Sequence, residues 1–103
     1  MSDAIQRWET LLASQPQNDL ARFSLAKALF DAGRHADALP HLQQALTKKP
    51  DWMVVQILEG KCHQALGDLA AARGAYEQAL KLAIAQHHEG PQMELEQLIE
   101  ELG

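Results

Sequence analysis

The chain has a single cysteine, Cys62, no apolar run as long as a membrane span, and no basic residue from Glu89 onward. Each shortage excludes something. A lone thiol cannot close an internal disulfide, so a reducing compartment is expected, with the cytoplasm as the default. Without about 18 consecutive apolar residues there is no candidate transmembrane helix. The opening MSDAIQRWE lacks the basic-then-apolar order of an export signal. Over residues 1 to 88, nine acidic and nine basic residues balance, so the five glutamates from Glu89 onward supply the whole net charge of -5. That distribution offers no basic stripe to displace counterions from phosphates, and nucleic acid is not an expected partner. No HExxH, CxxC or glycine-rich phosphate loop is present.

What remains is helix-forming material. With 103 residues and 47% apolar content, the chain has room for one modest core, hence one domain. Pro16, Gly33, Pro50, Gly67 and the pair Gly90-Pro91 punctuate stretches rich in Ala, Leu, Gln, Glu and Lys. Helices are predicted over Asp3 to Ser14, Asp19 to Ala32, His35 to Lys48, Trp52 to Leu66, Asp68 to His88 and Gln92 to Leu102. Apolar residues recur three and four apart, as in Ile5, Trp8, Leu11 and Leu12, or Leu95, Leu98, Ile99 and Leu102. Nothing reads as a strand. Pro40 falls beyond the first turn of its helix, removes a bond to Ala36 and should bend the helix or delay its start toward Asp37.

The strongest pattern is internal repetition at an offset of 34 residues. Ala26 meets Gly60, Gly33 meets Gly67, Ala38 meets Ala72, Leu42 meets Tyr76, and Ala45 meets Ala79. Small residues return where helices cross closely, large ones where a gap must be filled, and glycine at the turn. Each unit is a helical hairpin unable to bury its own apolar face, so the hairpins must stack.

These residues resemble the tetratricopeptide repeat family. Its pattern of a small residue on the first helix is met by Ala26 and Gly60, and of a small residue on the second by Ala38 and Ala72. The large residue that follows is met by Leu42 and Tyr76, the next alanine by Ala45 and Ala79, and the closing proline by Pro50 but not by Ile84. Ala4, Trp8, Leu11 and Pro16 continue the phase backward, so the first helix reads as an orphan second helix. The second repeat departs where Leu25 and Leu29 give way to Glu59 and His63. After Gly90-Pro91 the phase is lost, with Glu94 and Glu101 where a small residue and glycine belong, and the segment reads as a polar-faced cap. The resemblance implies an all-α, right-handed superhelical stack of about six helices: an orphan helix at 3–14, repeats at 19–50 and 53–86, and a cap at 92–102.

In that family the first helices line a concave groove that binds an extended peptide or partner helix. The matching groove positions here are Leu20, Phe23, Lys27, Phe30, Val54, Ile57, Lys61 and Gln64. Lys27 and Lys61, bordered by apolar side chains, are suited to an acidic segment with an apolar anchor. One subgroup clamps chaperone carboxylates; here Phe23 stands at the clamp's first lysine and Lys27 at its asparagine, so that clamp is incomplete. A protein-binding adaptor is therefore the expected function. The alternative is a structural or oligomerising subunit that uses the end faces, through Trp8 and the first helix or through the acidic cap, including contact with a second copy.

Catalysis is not expected, and no cofactor is implied. Cys62 and His63 are consecutive on a helix and point about 100 degrees apart, too divergent for a thiol-base pair. His63 stands four residues after Glu59 and is placed to pair with it. His87 and His88 with Glu89 form the one remote metal-binding alternative, and His35 and His41 read as ordinary surface or interface residues.

Overall fold

The computed structural model describes residues 3–103. Among them are six helices and no strand: α1 (Asp3–Ser14), α2 (Asp19–Asp31), α3 (His35–Lys48), α4 (Met53–Ala65), α5 (Leu69–Ala85) and α6 (Glu89–Glu101). Each helix packs on its neighbours in the chain, and α2 also touches α4. Two hairpins, α2–α3 and α4–α5, therefore stack, preceded by the lone helix α1 and followed by α6. No helix of the described residues is long and apolar enough to cross a membrane.

The tight turns explain where the helices stop. After α2, the Gly33 amide donates to the Phe30 carbonyl at 2.9 Å and the Arg34 amide to the Leu29 carbonyl at 2.8 Å. After α4, Gly67 and Asp68 repeat both bonds to Gln64 and His63. This double closure satisfies carbonyls left over at a helix end and needs a left-handed residue at its centre, met by Gly33 at φ +80 and Gly67 at φ +86. The same turn recurs after α5, where His87 and His88 donate to Ile84 and Ala83. There the left-handed residue is His87, at φ 58. The sequence carries no glycine at that point, which is why the helix was expected to run on to His88.

The structure corrects the start of α6 and removes one of the two outcomes expected of Pro40. α6 starts at Glu89, ahead of Gly90-Pro91, because Pro91 occupies the third helical position, where an amide has no intrahelical acceptor to lose. Pro40 does not delay α3, which begins at His35 with the Ala38 amide already bonded to the Arg34 carbonyl. Pro40 and Ala36 are both exposed, so the bond that the ring removes lies on the watered side of the helix.

Asn18 and Asp68 cap α2 and α5 by accepting from the Ala21 and Ala71 amides at 3.0 and 3.1 Å. The core forms two clusters. The first gathers Ile5, Leu12, Leu25, Ala26, Leu29, Ala38, Leu42 and Ala45 with Val55 and Cys62 of α4. The second gathers Ala72, Tyr76, Ala79, Ala83 and Leu95, with Met53 and Ile57 of α4 against it. α4 is thus the wall between them. Each fully buried large apolar side chain contributes about 1.5 to 3 kcal/mol, so α4 couples the halves through the residues it sends to each side.

Candidate functional site

Helical spacing and exposure together define the open side of the first helices. On α2 it carries Leu20, Ser24, Lys27 and Asp31; on α4, Val54, Lys61 and Ala65, with the half-buried Leu58 between them packed on the first core cluster. Leu20 is 69% and Val54 is 54% exposed, although both are large aliphatics. α6 begins 70 residues after α2, and this register sets Leu95 and Ile99 where Leu25 and Leu29 stand. Counted this way, α6 is a third first helix, displaced two residues from the 34-residue phase because α5 runs past the point at which α3 stops. Glu96, not Glu94, then takes the small-residue position, and Glu94, Gln97 and Glu101 continue the open face.

The lysines on this face have partners in the chain. The Lys27 Nζ donates to Asp31 Oδ2 at 3.2 Å, one turn further along α2. The Lys61 Nζ lies 3.5 Å from Glu94 Oε2 and ties α4 to α6. Gln97 donates to Glu101 at 3.3 Å.

Four of the eight residues proposed from sequence as groove-lining make contacts within the stack. Phe23 is half-buried, with its ring centroid 5.5 Å from that of Trp52, where α2 meets the start of α4. Phe30 meets His35 edge-on at 4.9 Å and packs on the first core cluster. Ile57 packs on the second cluster. Gln64 accepts a 2.7 Å hydrogen bond from the Tyr76 hydroxyl. Burial pushes the Tyr76 phenol up to about 12, with the Glu94 carboxylate adding to the effect. Leu20, Lys27, Val54 and Lys61 lie on the open side. The i, i+4 spacing of Asp31 from Lys27 signals their ion pair in the sequence, whereas Lys61 and Glu94 meet only when the fold brings α4 and α6 together.

The residues that suggested chemistry have surroundings of their own. Cys62 is buried, and burial together with the Glu59 carboxylate pushes its thiol up to about 11, against the thiolate a nucleophile needs. His63 pairs with Glu59 at 3.8 Å, as its spacing indicated. His41 accepts at Nδ1 from the Arg22 guanidinium at 3.1 Å, since arginine can only donate. Among the described residues, no group of three His, Cys, Asp or Glu is arranged to hold a metal ion.

Comparison with known proteins agrees with the hairpin geometry. Tetratricopeptide repeat models match residues 2–51 and residues 29–83. The chain belongs to the tetratricopeptide repeat family. It is 41% identical over 95 residues to the TPR repeat-containing protein PA0015 of Pseudomonas aeruginosa, a match covering 92% of this chain and 89% of that protein. The solution structure of BPP2914 from Bordetella parapertussis superposes with a TM-score of 0.86 at 34% identity, covering 99% of this chain and 89% of that one. PcrH from Pseudomonas aeruginosa, in complex with the chaperone binding region of PopD, shares the fold with a TM-score of 0.88 at 22% identity, covering 97% of this chain and 76% of that one.

Proposed function

We propose that this protein is a small interaction module that holds a segment of a partner protein against the open face of α2, α4 and α6. The observation that carries this reading is the exposure of Leu20 and Val54, equivalent aliphatic side chains one repeat apart on one face. Covering both with a partner's apolar side chains removes aliphatic surface from water. PcrH, which has this fold, binds a region of PopD. A peptide held in the same general manner fits the present chain, with Leu20 and Val54 as its apolar contacts and a cytoplasmic setting in which Cys62 stays reduced. No catalytic step is assigned.

A second reading, contact through the ends of the stack, draws on two residues. Trp8 stands one repeat before Leu42 and two before Tyr76, yet only the latter two are fully buried. Met93 on α6 is 70% exposed. Affinity capture from the source cell with the natural protein, a Leu20→Ser plus Val54→Ser variant and a Met93→Ser variant separates the two. Loss of the captured protein only with the Leu20→Ser and Val54→Ser changes supports the open face. Loss only with Met93→Ser, or a dimer in sedimentation that this change dissolves, transfers the function to the end.

A further inference from the structure

Resting on the open-face reading, we propose that the partner segment is aliphatic and basic, and that the face discriminates against acidic segments. The two lysines that would receive a carboxylate are already matched, Lys27 by Asp31 at 3.2 Å and Lys61 by Glu94 at 3.5 Å. An incoming acidic group would have to displace a carboxylate that the chain itself holds nearby, exchanging one exposed ion pair for another with little net gain. The remaining charge on the face has the opposite sign. Glu101 follows Glu94 on the same side of α6, with only the neutral Gln97 between them, and α6 carries five glutamates and no basic residue.

The face is therefore graded. Its α2 and α4 side presents Leu20 and Val54 with internally neutralised lysines; its α6 side carries Glu101 in excess of the Lys61–Glu94 pair. A segment lying across it buries two aliphatic side chains at one end and sets a lysine or arginine beside Glu101 at the other. Two contacts thus fix both the direction and the charge of the occupant.

The test uses the whole chain and three fluorescein-labelled peptides that share one set of leucines and differ only in carrying Lys, Gln or Glu at the flanking positions. Binding is followed by fluorescence anisotropy at low and high salt, and the contact is mapped by amide shift perturbation. The Lys peptide is expected to bind most tightly, by up to about fivefold per charge over the Gln peptide, the range that exposed ion pairs supply. Its advantage should shrink with salt, and perturbations should centre on Leu20, Val54 and Glu101. A Glu101→Gln variant, which leaves the Lys61–Glu94 pair in place, should lose most of the preference for lysine. Equal binding of all three peptides on that face, or tightest binding of the Glu peptide, overturns the charge selection and leaves the open-face function standing. Perturbations confined to α1 or the outer side of α6, or no binding by any peptide, overturn both.

Discussion

The two repeats place different residues at the same four positions: Leu25, Ala26, Leu29 and Leu42 in the first, Glu59, Gly60, His63 and Tyr76 in the second. Leu42 and Tyr76 are both completely buried. The larger ring has room because Gly60 has no side chain; a Cβ at that position would overlap Tyr76 Cδ1 and Cε1. Repeat two thus moves volume from the first helix to the second, and it gains a hydrogen bond from the tyrosine hydroxyl to Gln64. The leucines of repeat one are nearly inaccessible, whereas Glu59 and His63 are 18% and 15% exposed and pair with each other. What the family pattern preserves is a filled crossing, and pairs of residues, not single ones, satisfy it.

The sharpest way to break this comparison is at the crossing. Gly60→Ala should lower stability by about 1 to 3 kcal/mol through overpacking, despite the gain in helix propensity. The double change Gly60→Ala plus Tyr76→Leu rebuilds the Ala26 and Leu42 pairing and should recover most of that loss. Denaturant unfolding of the two variants checks both statements. An unchanged midpoint for Gly60→Ala, or strict additivity in the double variant, would show that the two side chains do not compete for space.

The turns allow a smaller test. Because His87 adopts the conformation that glycine supplies at positions 33 and 67, His87→Gly should stabilise the chain by about 1 kcal/mol. Gly33→His should destabilise it by a similar amount. Opposite shifts in melting temperature are expected, and shifts of the same sign would dissolve the equivalence of the three turns.

His41 adds a pH dependence confined to the first repeat. Burial, followed by the nearby Arg22 charge, lowers its affinity for a proton below the ordinary value of 6.5. Between the lowered folded value and 6.5 the unfolded chain therefore binds more protons than the folded one. Stability is full above that window and falls as the pH drops through it. Urea titrations between neutral and mildly acidic pH should show this fall, and His41→Gln should flatten it. The smallest expected effect is that of the exposed pairs: Lys27→Ala and Lys61→Ala should each change stability by less than about 1 kcal/mol. A larger loss at Lys61 would mean that its tie to Glu94 holds α6 in place.

The hairpins were legible because they rest on residues whose physics is local. Alanines at close crossings, glycine at a left-handed turn and an i, i+3, i+4 stripe need no knowledge of the rest of the fold. The bounds of α1 and α3 follow from such signals alone. The third turn was not legible, because histidine enters the left-handed region only when the flanking helices hold it there. The site was half legible. Spacing put Leu20, Lys27, Val54 and Lys61 on one side, but it did not distinguish that side from the adjacent one, where Phe23 meets Trp52 and Ile57 joins the second core cluster.

By itself, the sequence determined the helical content, the 34-residue period and the stacking of hairpins, because periodic apolar faces can be buried in few other ways. Tertiary structure alone decided that α6 is a third first helix set two residues out of phase, that Glu94 neutralises Lys61, and that Gly60 exists to admit Tyr76. Each of these depends on a distance between residues remote in the chain. Such a distance is settled only when every helix has found its neighbours.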